Sequence, residues 1–398
     1  MAGRFAAVLL PFALALALAL ALALALALAA CGGTSTTLPA HAPVGPVPVV
    51  TTSNGIITPN GTATEPELAR AGSEALLKQQ WKEAADAYSL LVKAVTDGPN
   101  APTYLFNLAL AYEGLEQRDK ARDTYRDLAR RFSASANART SLVRAATLSA
   151  YLEDWKALGE TADAMLGRAD IDDVDRMMAL GARGLSKVEQ GEARGARKDI
   201  LDGLEIADRT HYASPDVLPV AVAQLRFAFG EVKRMQSETI KFIPLPTDFL
   251  AAIEARCVGL LEAQDEYAEA VHASDPHWAA MAGYRVGEMY RTLHADLMGI
   301  QPPPEAKTER LRQVFYAFMH IRYRVLLEKG MRQLDETIKL GKRVNDTSSW
   351  IKRAEAAKKE MELAIAEEKT QIAKFPFTEE EVRKSLKELA DKVAKQKK

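Results

Sequence analysis

The sequence lacks both an excess of charge of one sign and the common catalytic motifs. Its 398 residues carry 52 Lys and Arg against 53 Asp and Glu, so the formal net charge of -1 gives no overall attraction to nucleic acid. The patterns GxxxxGKS/T, HExxH, GxSxG and CxxC, which mark common phosphate, zinc, serine-hydrolase and redox sites, are absent. The sequence therefore predicts no enzyme activity, no cofactor and no nucleic-acid partner.

Cysteine is also scarce, and one of the two cysteines ends a long apolar run. Arg4 is the only charged residue before Cys31, and the 26 residues from Phe5 to Ala30 are apolar. Both Ala and Leu, which dominate this run, favour helix, and about 20 apolar residues suffice to span a bilayer. The run therefore predicts a membrane-inserting helix.

The end of this run has the residue order of a lipobox, Leu28-Ala29-Ala30-Cys31. Small residues before the cysteine admit a signal peptidase, and the thiol accepts a diacylglyceryl group. We predict a signal peptide over 1–30 and lipidation, including palmitate, of Cys31. The alternative is an uncleaved transmembrane anchor, and both interpretations tether the chain by its amino end.

This amino-terminal segment resembles those of bacterial lipoproteins. In that resemblance, Gly32 in place of Asp implies sorting to the outer membrane, on the periplasmic face, with the inner membrane as the alternative. A lipidated Cys31 would leave Cys257 as the only thiol and exclude an internal disulfide. Stability must then come from helix packing.

Residues 31–65 have the composition of a linker. From 32 to 64 there is no charged residue, but there are five prolines among many Thr, Gly, Ser and Val. This composition predicts a disordered or polyproline-like segment spanning about 30 Å as a coil. In an alternative interpretation, Val47 to Thr52 and Ile56 to Thr58 pair as short strands.

From Glu67 onward the sequence changes to helix-forming residues with an internal repeat. A pair of apolar residues four positions apart recurs at spacings of 37, 37 and 38 residues. The four pairs are Ala84 and Tyr88, Ala121 and Tyr125, Leu158 and Ala162, and Ala196 and Ile200. Each follows a segment with small and large apolar residues at matching offsets, as expected of a first helix packing on a second.

The repeat resembles the tetratricopeptide repeat, best in 103–132 and over about 66–207 as a whole. The resemblance implies an all-α fold, with an α-solenoid of helix pairs over 66–210. It also places Asn107 and Arg144 on first helices, facing an inner groove that holds a partner peptide or protein. Amide and guanidinium groups suit peptide backbone and carboxylate contacts, respectively. Other positions of such a clamp are not cationic here, namely Ala69, Ser73 and Thr140.

Residues 211–375 remain helical in pattern but lose the repeat, which predicts a less regular helical domain. Prolines and apolar periodicity predict helices near 217–240, 247–272, 276–298 and 307–344. The segment from Ala263 to Pro304 is similar to the second half of large tetratricopeptide envelope proteins of myxobacteria and their relatives. Four side chains in it are the alternative site of an envelope enzyme or ligand-binding protein. They are Trp278, Tyr284, Tyr290 and His294.

Two further patterns bear on binding. Four residues have side chains that can bind zinc, namely His272, His277, His294 and Glu288. Asp275-Pro276 separates the first two, so they do not share a helix face and no metal site is predicted. Cys257 lies in an apolar helix pattern, as a buried inert thiol does.

The last segment, 376–398, is charged and amphipathic. Thr378 and Glu381 predict a capping box. An apolar stripe and a basic tail follow, with seven cations and two anions between Arg383 and Lys398. We expect a solvated helix, with binding to anionic lipid or an acidic partner as the alternative. The stripe residues are Val382, Leu386, Leu389 and Val393.

Together these features predict a membrane-tethered scaffold or adaptor of the bacterial cell envelope. Its expected partners are other envelope proteins or peptides bound through the solenoid groove, and the membrane bound through lipid on Cys31. No small-molecule ligand is expected.

Overall fold

The computed structural model describes residues 47–53, 56–210, 220–272, 275–304, 306–346, 348–378, 380–382 and 384. The predicted signal peptide 1–30 and Cys31 lie outside the described residues, as do Leu386, Leu389 and Val393.

A two-stranded antiparallel hairpin precedes the helices. Strand β1 (Val47–Ser53) pairs with β2 (Ile56–Ala63), with Val47 opposite Ala63 and Ser53 opposite Ile56. The prediction of a disordered linker over 31–65 is therefore wrong for these two strands. Val, Ile and Thr favour strand, and the sequence Asn54-Gly55 between them is a strong hairpin-turn signal that outweighed the prolines. Ala63 packs against the core of the first helices.

Four antiparallel helix pairs follow, and the predicted all-α fold with an α-solenoid of helix pairs is confirmed. Each helix packs on the next in the chain. The pairs are α1 (Glu65–Leu77) with α2 (Trp81–Ala94), α3 (Ala101–Gly114) with α4 (Arg118–Arg131), α5 (Ala136–Tyr151) with α6 (Trp155–Leu166), and α7 (Asp173–Glu189) with α8 (Ala193–Arg209).

The repeated apolar pairs of the sequence form the centre of this packing. All eight side chains of the second helices, from Ala84 to Ile200, are at most 1% exposed. A small residue on the first helix faces the larger one of the pair, because a Cβ on Gly72 would lie 2.8 Å from the Tyr88 ring and one on Gly184 would lie 2.6 Å from Ile200. The repeat is thus a pattern of close helix contacts.

Five longer helices complete the array. They are α9 (Val220–Glu238), α10 (Phe249–His272), α11 (Pro276–Met298), α12 (Glu309–Arg343) and α13 (Ser349–Lys374). The predicted helices over 217–240, 247–272, 276–298 and 307–344 are confirmed to within three residues at each end. Helix α12 continues through Gly330, where a Cβ would lie 3.0 Å from the Gly287 carbonyl oxygen and 3.0 Å from Met361 Cε. This glycine lets α11, α12 and α13 approach closely.

A buried carboxylate connects the fourth pair to the longer helices. Glu231 of α9 is 0% exposed and accepts hydrogen bonds from Tyr267 Oη at 2.5 Å and Arg234 Nη2 at 2.7 Å. Arg285 of α11 lies with Nε 3.1 Å from Glu231 and donates from Nη2 to Glu189 of α7, also at 3.1 Å. Burial would raise the Glu231 pKa, but the charges of Arg285 and Arg234 outweigh it and lower the pKa. The cluster joins four helices.

After α13 the chain returns to the start of α12. The predicted capping box is confirmed, since Thr378 N donates to Glu381 Oε2 and Glu381 N donates to Thr378 Oγ1. Val382 is 1% exposed and packs with Val314 and Ala317. Within the described ranges, no helix combines the length and apolar character needed to cross a membrane.

Candidate functional site

The candidate site is a cleft of about 410 Å³ on the first helices of the second and third pairs. Contacts of α3 with α5, α5 with α7, and α7 with α9 place these first helices on the inner side of the array. The cleft lies between α3, which contributes Glu113, and α5. Its other lining residues are Arg118, Arg144, Thr147, Leu148 and Tyr151.

Arg144, which the sequence predicted as a partner contact, forms one wall of this cleft. Its Nη1 lies 3.0 and 3.2 Å from the two carboxylate oxygens of Glu113, which also accepts a 2.6 Å hydrogen bond from Tyr125 Oη. Burial would lower the Arg144 pKa, but interactions with Tyr125 and Glu113 outweigh it and raise the pKa. The guanidinium is fixed in place while 41% of its side chain stays exposed.

Arg118 supplies a second positive charge. It is exposed, begins α4, and makes no ion pair with any other residue that the structure describes. Its guanidinium carbon lies 6.0 Å from the centre of the Tyr151 ring, within reach of a cation–π contact. The cleft is lined by these two arginines and one carboxylate, Glu113. With their ordinary ionisation at neutral pH, the lining side chains carry a net charge of about +1.

Helix α11 closes one end of the cleft. Tyr151 Oη donates to Asp275 Oδ2 at 3.2 Å, and the Tyr151 ring stacks on His277 with 4.0 Å between ring centres. Burial, and then the charge of Asp275, raises the Tyr151 pKa. Burial and the nearby Arg118 charge lower the His277 pKa to about 3, so the imidazole is neutral at neutral pH. A ligand in the cleft therefore ends against the Tyr151 ring, which His277 and Asp275 hold in place.

Asn107, the other predicted contact, lies outside this cleft. Its Nδ2 donates to Tyr88 Oη at 2.9 Å, and Ser73 Oγ lies 3.0 Å from the same hydroxyl. The amide thus connects α3 to the first helix pair on the inner side. The structure does not bring Asn107 and Arg144 into one pocket.

A larger cleft of about 740 Å³ lies between α4 and α6, but its charges are already paired. Arg126 binds Glu160 at 2.5 Å, Arg130 binds Asp127 at 2.6 Å, and Arg168 binds Asp170 at 2.7 Å. An anionic ligand would have to displace these carboxylates. The smaller cleft, with its unpaired Arg118, is the better binding site.

Comparisons with known proteins found helical repeat structures. No family model matches the chain, and no curated protein matches it. A tetratricopeptide repeat protein from Parabacteroides merdae is similar with 13% identity and a TM-score of 0.36, covering 73% of this chain and 98% of that chain. The TPR2AB domain of yeast Sti1 in complex with pHSP90 has 17% identity and a TM-score of 0.23, covering 75% and 98%.

Yeast Tom70 is also similar, with 11% identity and a TM-score of 0.25, covering 82% of this chain and 84% of that chain. These identities and scores are low, so the likenesses carry no argument about what this chain binds. The helix-pair architecture rests on the packing described above.

The alternative site in the carboxy-terminal half is a closed core. Trp278 is 2% exposed, and Tyr290 and His294 are each 8% exposed. Tyr284 packs on the fully buried Trp350, with 5.5 Å between ring centres. These side chains pack in the helix core, which argues against their forming an open, polar-lined site.

The histidines that could bind zinc are not brought together. His277 lies against Tyr151, whereas His294 Nε2 lies 3.3 Å from Glu368 Oε1 of α13. Among the described side chains no group of three or more ligands suits a metal ion. Cys257 is half-buried, and burial raises its thiol pKa, which agrees with an unreactive cysteine.

Several contacts of the cleft and of the histidines could not be predicted from the sequence. His320 of α12 bonds Glu368 through Nδ1 at 2.7 Å, and these two residues are 48 positions apart. Tyr151 and Asp275 are 124 positions apart. Arg118 lies within the repeats, but the repeat spacing does not indicate which residues it contacts. Only the distance between a charge and its neighbours in the fold identifies such residues.

Proposed function

We propose that this chain is a membrane-tethered scaffold that binds another protein of the bacterial cell envelope through the cleft between α3 and α5. The proposal depends mainly on Arg118, an exposed guanidinium without an ion-pair partner among the described residues, set beside Arg144 in a cleft closed at one end. Guanidinium groups bind carboxylates with parallel hydrogen bonds. The ligand is therefore an acidic or carboxylate-bearing segment of the partner.

The size of the cleft supports a protein segment as ligand. Its 410 Å³ accommodate a few side chains, while Thr147 and Leu148 add hydroxyl and apolar surface to the charged rim. Beyond the cleft, Asn107 lies on the same helix α3 and is half-buried, so we expect an extended segment leaving the cleft to pass it. We expect Asn107 to contact this segment and Arg144 to contact its anionic group.

Capture of the partner from envelope extracts tests the binding proposal. The tagged wild-type chain should retain a specific envelope protein, and Arg118→Glu should reduce capture about tenfold or more because it reverses the charge at the cleft. Arg144→Ala and Asn107→Ala should reduce it less. Arg197→Glu on α8 is the matched control, since Arg197 is also exposed and forms no ion pair with a described residue. No captured protein, or equal capture by all variants, would contradict the proposal.

The tether is the lipid on Cys31, and the location is the periplasmic face of the outer membrane. The lipobox order before Cys31 and the absence of charge from 32 to 64 support it. Cys31→Ser should abolish incorporation of labelled palmitate and release the chain from membranes, whereas Cys257→Ser should do neither. Wild-type chain sedimenting with inner-membrane markers would overturn the outer-membrane assignment.

A further inference from the structure

Two of the longer helices, α10 and α12, carry exposed faces of opposite charge. The first is on α10, where Glu254, Val258, Leu261, Asp265 and Glu269 follow one another at intervals of four, three, four and four residues. All five are exposed, including 48% of Val258 and 52% of Leu261. At these intervals they share one side of the helix. We call them the acidic stripe.

The second face is on α12. Arg322, Val325, Lys329 and Arg332 follow at intervals of three, four and three residues, so they also share one side of their helix. All four are exposed, including 40% of Val325. We call them the basic stripe. Each stripe combines apolar side chains with charges of a single sign.

The charges of both stripes are unpaired within the part of the chain that the structure describes. None of the six charged residues of the two stripes forms an ion pair with another described residue. Five arginines of α9 to α13 are paired, namely Arg234, Arg256, Arg285, Arg291 and Arg353. Other exposed charges of these helices, such as Glu262, Arg324 and Lys359, also form no ion pair with a described residue, so the stripes differ from them in combining apolar side chains with charges of one sign.

Helices α10 and α12 both pack on α11, and Lys329 of α12 is near enough to Cys257 of α10 for its charge to act against the burial that raises the Cys257 pKa. Since Cys257 precedes Val258 in the chain, we infer that the two stripes lie on the same side of α11. Lys329 Nζ lies 5.9 Å from the centre of the Tyr290 ring of α11.

We propose that these faces form an interface between two copies of this chain, with the acidic stripe of each copy against the basic stripe of the other. Charge complementarity selects this occupant. A twofold axis between α10 and α12 brings each stripe opposite its complement. The three carboxylates of each copy then face the three cations of the other copy. It also buries Val258, Leu261 and Val325 of both copies, so that an apolar centre is surrounded by ion pairs, as in stable interfaces.

Paired charge reversals test the proposal, because the two stripes act across the interface and not within one copy. Variant A carries Arg322→Glu, Lys329→Glu and Arg332→Glu. Variant B carries Glu254→Lys, Asp265→Lys and Glu269→Lys. Each alone places like charges opposite each other and should be monomeric. Mixed in equal amounts they should form a heterodimer, since both of its contacts are again complementary.

The measurement is the protein mass of the purified full-length chain in excess detergent micelles, by sedimentation velocity and light scattering from about 1 to 100 µM. Wild type should be a dimer that dissociates at high salt, since the exposed ion pairs are screened. The control variant, Arg194→Glu with Arg197→Glu on α8, should dimerise as wild type does. Circular dichroism checks that every variant is folded.

Three results would overturn the proposal. They are a monomeric wild type throughout this concentration range, a dimer unaffected by the reversals in variant A or B, and a mixture of A and B that stays monomeric. A dimer held together by the apolar residues 5–30 would be unaffected by the reversals and would therefore give the second of these results. This interface is separate from the cleft between α3 and α5, so either proposal can fail alone.

Discussion

Single glycines set how closely the helices of each pair approach. At Gly184 the side chain of Ile200 occupies the position where a Cβ would be, whereas the space around Gly195 is open apart from the flexible Lys187 side chain, 3.6 Å away. Overpacking in a closed core costs about 1 to 3 kcal/mol, while Ala is favoured over Gly inside a helix by about 0.5 to 1 kcal/mol. The two glycines should therefore respond oppositely to the same substitution.

We expect Gly184→Ala to lower the free energy of unfolding by about 1 to 3 kcal/mol, because Ile200 must shift. Gly195→Ala is the matched control and should leave stability unchanged or raise it. Urea unfolding followed by circular dichroism measures both. A Gly184→Ala variant as stable as wild type would mean that the fourth pair is packed more loosely than described.

A second prediction at this scale concerns pH. His277 has its pKa lowered to about 3 by burial and by Arg118, whereas an unfolded imidazole titrates near 6.5. Its stabilising effect is therefore complete above about pH 6.5 and is lost as the pH falls toward 3, since the unfolded chain gains the proton first. Between pH 7 and 5 this loss is about 2 kcal/mol.

The variant His277→Phe preserves a ring for Tyr151 to stack on and removes the titration. When the pH is lowered from 7 to 5, the free energy of unfolding of this variant should fall by about 2 kcal/mol less than that of wild type. Equal falls for the two proteins would show that His277 is accessible to protons in the folded chain.

The sequence predicted residues of the repeat well and residues of the cleft poorly. Ala84, Tyr88 and their equivalents recur at a fixed spacing because every pair has the same contact to make, and all are buried as expected. Arg144 was predicted by the resemblance, but its bonds to Glu113 were not, since residues 31 positions apart have no shared period. The role of Asn107 in holding Tyr88 was missed for the same reason.

Among the elements, the junction between α7, α9, α10 and α11 depends on one buried carboxylate. Removing Glu231 would leave the guanidinium groups of Arg234 and Arg285 without this partner in the core, and breaking a buried pair in this way costs about 3 to 5 kcal/mol. We therefore expect Glu231→Ala to lower the thermal midpoint strongly. Glu205→Ala, on the exposed side of α8, should lie within about 0.5 kcal/mol of wild type.

A differential scanning calorimetry comparison of these two variants measures the effect. If Glu231→Ala proved as stable as Glu205→Ala, the buried cluster would not hold the longer helices to the fourth pair. Tyr267 would then have to satisfy its hydroxyl elsewhere.

Element boundaries were the part of the fold that the sequence predicted best. Apolar periodicity and prolines determine where helices begin and end, and the observed helices α9 to α12 agree with the predicted spans. The strand pairing was only the alternative interpretation, because five prolines and the lack of charge favoured a linker, although Asn54-Gly55 between segments rich in β-branched residues is a turn signal. Short strands have too few residues for periodicity alone to identify them.

At the scale of the whole molecule, the carboxy-terminal helices turn back toward the end of α5. Tyr151 contacts Asp275, and Arg353 of α13 binds Glu153 at 2.9 Å across 200 positions of sequence. No local pattern predicts such contacts, because they join residues 124 and 200 positions apart. The consequence is that the inner face is open beside α3 and α5 and closed at α11, which defines where a partner can bind.

The central claim is that the cleft between α3 and α5 contacts a partner in the cell envelope, and site-specific photo-crosslinking in intact cells tests it most directly. A photoreactive residue at Thr147, inside the cleft, should give one discrete adduct with another envelope protein, and Arg118→Glu should abolish it. The same residue at Lys198, on the exposed side of α8, should give none. No adduct from Thr147, or an adduct unaffected by Arg118→Glu, would contradict the account.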